Sequence, residues 1–167
     1  LGEDKEPDAE NGDNQISVAE HARQICHKLL TFFPLFDTPR VRGWEEEDKV
    51  CIEIDGDKSG ILIGKHGQTL LALEFVLARM VQHQTNSSKR VQLDCEGYRK
   101  RRKTMLENLA RQTADEVADT KTPVALGPMS PEERKIIHLA LKDHPSVFTE
   151  SIDLPPNRQV VVKPRQS

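Results

Sequence analysis

The sequence predicts an α+β fold, and three observations carry that prediction. Apolar residues recur at helical spacing in four long segments and alternate with polar ones in several short runs. The two kinds of segment are mixed along the chain, helices among strands in both halves. The length, 167 residues, suits one medium domain or two small ones.

Taken in order, residues 1–16 hold six acids against one base, Lys5, and almost no large apolar side chain. That composition predicts a disordered leader or interdomain linker. Ser17 is a helix N-cap with Glu20 at the capping-box distance, and Val18, Ala22, Ile25, Leu29 and Leu30 give a helix to about Phe33, stopped by Pro34. Runs at 39–44 and 49–54, joined by Glu45 to Asp48, read as an antiparallel strand pair. A short helical element, Ser59 to Ile63, leads into a glycine-bounded loop. The helix predicted over 67–82 is apolar almost all round, so it is buried on more than one side or meets a partner.

A third strand, 90–95, closes this set. A long helix follows from Tyr98 to about Ala118, with Leu106, Leu109, Ala110, Thr113, Ala114 and Val117 as its buried stripe. Thr122 to Leu126 reads as a short strand, and Ser130-Pro131 opens a helix to about Asp143. Residues 147–154 and 158–163 form a final hairpin around Pro155-Pro156-Asn157. The orders are therefore α-β-β-α-α-β and then α-β-α-β-β.

The most informative segment is Gly64-Lys65-His66-Gly67. Glycines let a backbone approach a phosphate closely, and a helix N-terminus offers unpaired N–H groups to an anion. A nucleotide P-loop is excluded: Gly60 and Gly64 are separated by three residues rather than four, and His66 replaces the metal-binding hydroxyl. A plain turn and a phosphate clamp both remain open from the spacing alone.

The net charge of −3 conceals its distribution. The acidic leader leaves a net of +2 on the remainder, and Lys89 to Arg111 holds eight bases against three acids. Arg99, Lys100, Arg101, Arg102 and Lys103 open a helix at the end where the macrodipole disfavours cations. A solvated face is the ordinary reading of such a run, and a polyanion partner explains its position. Three scattered cysteines, Cys26, Cys51 and Cys95, predict buried thiols in a reducing compartment. With no apolar run long enough for a bilayer and no signal-peptide pattern, the expected setting is the cytoplasm, without membrane insertion. No paired carboxylates, nucleophile motif or metal-ligand spacing point to an enzyme, a metal or a cofactor.

Residues 17–96 resemble a type II KH domain in element order and in the Ile63-Gly64-Lys65-His66-Gly67 loop. Residues 97–167 resemble an R-three-H domain, through Arg134-Lys135-Ile136-Ile137-His138 preceded by Pro128-Met129. Both resemblances imply small α/β sandwiches. The two in succession, with Asp94-Cys95-Glu96-Gly97-Tyr98-Arg99 at the joint, resemble the bacterial Jag (SpoIIIJ-associated) family. The resemblance implies a protein that binds single-stranded RNA, or single-stranded DNA, as a post-transcriptional regulator or RNA chaperone.

By position it implies a backbone clamp at Gly64, Lys65, His66 and Gly67, and an apolar base groove of Ile54, Ile61, Ile63 and Leu70. It makes Arg134 and His138 a phosphate face, joined by Arg158, Lys163 and Arg165. Helix geometry alone favours a packed histidine beside a surface arginine at these two positions. One departure stands out: where such domains often carry Ser-x-Gly before the last hairpin, this chain has Ser151-Ile152-Asp153. The family also implies a longer protein with an N-terminal domain, roles in cell elongation, envelope synthesis and sporulation, and a small single-KH partner. A competing reading makes the chain a scaffold that pairs its KH fold with another KH protein or with itself, on the strength of the over-apolar helix 67–82.

Overall fold

A computed structural model describes residues 16–33, 39–56, 60–154 and 157–165. Residues 1–15 of the expected leader, Pro34, Ser59 and Pro155-Pro156 lie outside the described residues. The chain divides into two compact units, one ending at Glu96 and one beginning at Gly97.

The first unit contains α1 (Val18–Leu30), β1 (Arg40–Glu45), β2 (Lys49–Asp55), a 3₁₀ turn at Lys65–Gly67, α2 (Gln68–Thr85) and β3 (Arg90–Cys95). Its sheet runs β1-β2-β3, with β1 antiparallel and β3 parallel to β2. Parallel pairing of β2 with β3 requires a crossover, and α2 supplies it. Val50, Ile52 and Ile54 of β2 and Val91, Leu93 and Cys95 of β3 are buried, at the period of two that puts one face of a sheet under helices. Onto that core α1 sets Ala19, Ala22, Ile25, Cys26 and Leu30, and α2 sets Leu70, Leu73, Leu77 and Val81.

Three local details differ from the sequence reading. The capping box of α1 is half formed: Ser17 Oγ accepts the Glu20 N–H at 3.2 Å, while the Glu20 carboxylate turns to Arg23 and Gln24. That same helix ends at Leu30 rather than Phe33, where Thr31 Oγ1 donates to the Lys28 carbonyl at 2.7 Å. The short helix expected before the loop is a single turn, closed by the Gly64 N–H donating to the Gly60 carbonyl at 2.9 Å. The three thiols are free and buried, as their apolar surroundings predict, and burial pushes Cys26 up to about 12.

The second unit contains α3 (Tyr98–Thr120), β4 (Val124–Ala125), α4 (Pro131–Ala140), β5 (Val147–Leu154) and β6 (Asn157–Pro164). Its antiparallel sheet has the order β4-β6-β5. Leu106, Ala110, Ala114 and Val117 of α3 meet Ile137, Leu141, Val147, Val160 and Val162 in one core. Leu109, assigned to the buried stripe from its spacing, is 39% exposed and lies at the stripe's edge.

The start of α4 is closely specified. Ser130 Oγ accepts the Glu133 N–H at 3.2 Å, and Glu133 Oε2 accepts the Ser130 N–H at 2.9 Å. Such reciprocal capping satisfies two donors that the first turn leaves orphaned. The other oxygen of Glu133 accepts from Arg102 Nε at 2.7 Å, so α3 and α4 are tied at the same carboxylate. This helix ends at Ala140, about one turn before the expected Asp143.

Candidate nucleic-acid interface

In the first unit the loop geometry follows from its glycines. Gly64 sits at φ 68°, ψ −174°, a region open essentially to glycine alone. A Cβ there would lie 2.1 Å from Thr69 Oγ1, so the first turn of α2 also excludes any side chain. His66 and Gly67 are left-handed as well, at φ 53° and 76°. These angles turn the chain sharply and leave Lys65 and His66 exposed at the start of α2. Gly67 occupies the N-cap position without a capping side chain. The α2 terminus thus presents a partial positive charge, with Lys65 adding a full one. A phosphate backbone is the natural occupant of such a loop.

The four residues assigned to a base groove separate. Ile61 and Ile63 are half-buried at the surface. Ile54 is fully buried and Leu70 is 2% exposed, so both belong to the core and cannot touch a base in this conformation. Their periodicity marked them as apolar correctly, but Ile54 lies on the helix-covered face of β2 and Leu70 on the inward stripe of α2.

A groove of about 460 Å³ opens instead between α2 and the start of β3, lined among others by Leu71, Phe75, Arg79, Lys89 and Arg90. Phe75 is 62% exposed, and the Arg79 guanidinium stands 5.4 Å from its ring centre. An exposed aromatic ring beside cations is a stacking platform for bases. The sequence assigned none of these residues to a base-binding site. The available signal was the surplus of apolar positions on α2: Leu71, Phe75 and Val76 fall off the stripe formed by Leu70, Leu73, Leu77 and Val81.

In the second unit, Arg134 and His138 stand one turn apart on α4. The imidazole is bound on both sides: Nδ1 lies 2.6 Å from Thr149 Oγ1 and Nε2 2.8 Å from Ser151 Oγ. Thr149 and Ser151 alternate on β5 and therefore share a face. Burial, and then the positive charge of Arg134, hold His138 below the ordinary histidine range. Arg134 Nε is buried without a hydrogen-bond partner.

Because folding lowers the His138 pKa, the folded state holds fewer protons there than the unfolded one. Its contribution to stability is present above about pH 6.5 and is lost as the pH falls below that. We expect the urea midpoint of the full chain to drop between about pH 7.5 and about pH 5, and the drop to shrink in His138→Asn. An equal drop in both chains would contradict this.

The remaining bases are largely engaged. Arg158 pairs with Asp153 at 2.7 Å, and Lys163 with Glu150. The carboxylate that departs from the Ser-x-Gly pattern is thus the one that holds Arg158. Arg165 Nε donates to the Val147 carbonyl at 3.0 Å. Within the basic run, Arg99 pairs with Glu132 at 3.4 Å, Arg102 with Glu133 at 2.7 Å and Lys103 with Glu107 at 3.8 Å. Lys100 and Arg101 are exposed on α3. The run therefore serves the packing of α3 on α4 as well as its own surface. Among the described residues no group of three or more His, Cys, Asp or Glu is placed to hold a metal, and no helix is long and apolar enough to cross a membrane.

Comparison with known proteins gives two family matches. Residues 34–94 match the family described as KhpA/KhpB, KH domain, and residues 104–164 match the R-three-H domain. The RNA-binding protein KhpB of Clostridium symbiosum is 44% identical over 118 residues, covering 71% of this chain and 53% of that protein. The protein of the same name in Bacillus subtilis (strain 168) is 39% identical over 120 residues, covering 71% of this chain and 58% of the relative. That of Lactiplantibacillus plantarum is 43% identical over 117 residues, covering 69% of this chain and 36% of the relative. The chain spans between about a third and somewhat over half of the length of these curated relatives.

Proposed function

This chain belongs to the family that joins a KhpA/KhpB-type KH domain to an R-three-H domain, and from that premise we propose that it binds single-stranded RNA, with single-stranded DNA as a weaker ligand. The observation that carries this reading is the glycine-bounded loop exposing Lys65 and His66 at the start of α2, which carries no capping side chain. Backbone N–H groups and Lys65 hold phosphates there, and unstacked bases settle against Phe75 and Arg79 in the neighbouring groove. In the second unit Arg134 holds a further phosphate. The name shared by the relatives, RNA-binding protein, favours RNA over DNA.

The role we assign is that of a cytoplasmic regulator or RNA chaperone acting by binding rather than catalysis, in the control of cell elongation, envelope synthesis or sporulation. Titration of the chain with a labelled single-stranded RNA tests the reading, and absence of binding at low salt would defeat it. A second reading, a scaffold that pairs with another KH domain, is favoured by the exposed Leu71, Phe75 and Val76 on α2. A chain that ignores RNA yet associates with itself in the same titration would support that alternative.

A further inference from the structure

The imidazole of His138 offers a ligand nothing. A histidine ring has two polar atoms, and here both are engaged, by Thr149 Oγ1 at 2.6 Å and Ser151 Oγ at 2.8 Å. A phosphate could reach the ring only by breaking one of these short bonds. One turn earlier on the same helix, Arg134 is in the opposite situation: its Nε is buried and has no acceptor. A buried donor without a partner leaves a site incomplete until an acceptor arrives. The charge of Arg134 is also close enough to act on the His138 ring.

The helix that carries both residues is short, ten residues from Pro131 to Ala140. Its first turn is fixed by the Ser130–Glu133 capping box and by Arg102. Its second half packs Ile136, Ile137 and Ala140 against the core and is tied to β5 by the His138 bridge. Apolar packing is non-directional, so the two hydrogen bonds of the bridge are what fix the roll of that half and with it the direction of Arg134.

We propose that His138 is a positioning residue: its two-sided bridge to Thr149 and Ser151 locks α4 onto β5 and so aims the Arg134 guanidinium, which makes the phosphate contact. This rests on the reading of the second unit as part of an RNA-binding surface. The Arg-x-x-x-His pair then divides its work, one residue touching the ligand and the other holding the helix that presents it.

The test uses the full chain, a fluorescent single-stranded RNA and a salt titration. Arg134→Ala should weaken binding about tenfold at low salt and lower the slope of log affinity against log salt by about 0.7, the loss of one single-strand phosphate contact. Thr149→Val and Ser151→Ala remove hydroxyls and no charge. Each should weaken binding about threefold, with a fall in slope smaller than that of Arg134→Ala, and Thr149→Ser, which keeps the hydroxyl, should behave as wild type. The combined Arg134→Ala, Thr149→Val chain should bind no worse than Arg134→Ala alone, because the hydroxyl acts only through the arginine.

Full additivity of those two changes would overturn the proposal. So would a further loss of affinity or of slope when His138→Ala is added to Arg134→Ala, since it would make His138 a contact in its own right. Failure of the underlying reading looks different: Arg134→Ala would then leave both affinity and slope untouched.

Discussion

Replacing Lys65 and His66 together by Asp should reduce affinity for single-stranded RNA by about a hundredfold or more while leaving the fold intact, equivalent to about 3 kcal/mol of binding free energy. Two positions at the mouth of α2 become negative where a phosphate would sit, so attraction turns to repulsion and carboxylates instead of ligand face the helix terminus. Both residues are exposed and take no part in the core. His66 is left-handed at φ 53°, a conformation that Asp tolerates better than most residues. Circular dichroism and the urea midpoint should therefore be unchanged. Retained affinity in the double variant would remove the loop from the binding surface and transfer the burden to the groove beside Phe75.

Gly64→Ala should be the most damaging single change in the loop. The backbone at φ 68°, ψ −174° costs a residue with a Cβ about 1–3 kcal/mol. The new methyl would also lie 2.1 Å from Thr69 Oγ1 and 2.8 Å from Thr69 Cβ, so the first turn of α2 must move. Since that turn presents the helix terminus, affinity should fall at least about tenfold, together with a lowered urea midpoint. Adding Thr69→Gly removes the two side-chain collisions, though neither the backbone strain nor the approach to the residue 69 nitrogen at 3.1 Å, and should recover part of the loss. A Gly64→Ala chain that unfolds at the wild-type urea concentration and binds equally well would show that neither the angle nor the close approach constrains this position.

Local chemistry makes much of this protein legible in its sequence. The loop stood out because Gly64 and Gly67, placed just ahead of an apolar helix, mark backbone that a Cβ would obstruct. Ser130-Pro131 with Glu133 marked the start of α4 through groups that lie within one turn. The failures share the opposite property. The family resemblance implies Ile54 and Leu70 for a base groove by position, but position in a motif does not say which of two surfaces an apolar side chain faces, and α2 carries apolar residues on both.

The basic run at Arg99 to Lys103 read as a surface for anions, yet Arg102 meets Glu133 31 residues away. His138 likewise finds Thr149 and Ser151 11 and 13 residues along. No pattern in a window the size of a helix turn records such pairings. They depend on how β5 is laid against α4, which is settled by packing. The departure at Asp153 was visible in the sequence, but its consequence, a carboxylate holding Arg158, needed the register that sets Asp153 opposite Arg158.

The most direct measurement is a salt titration of the wild-type chain against one RNA sequence presented as a single strand and as a duplex. Single-strand binding should be tighter by at least about tenfold, and its log affinity should fall linearly with log salt at a slope of about −0.7 for each phosphate held. Equal affinity for the duplex, or affinity for the single strand that does not respond to salt, would contradict a backbone clamp at Gly64 to Gly67.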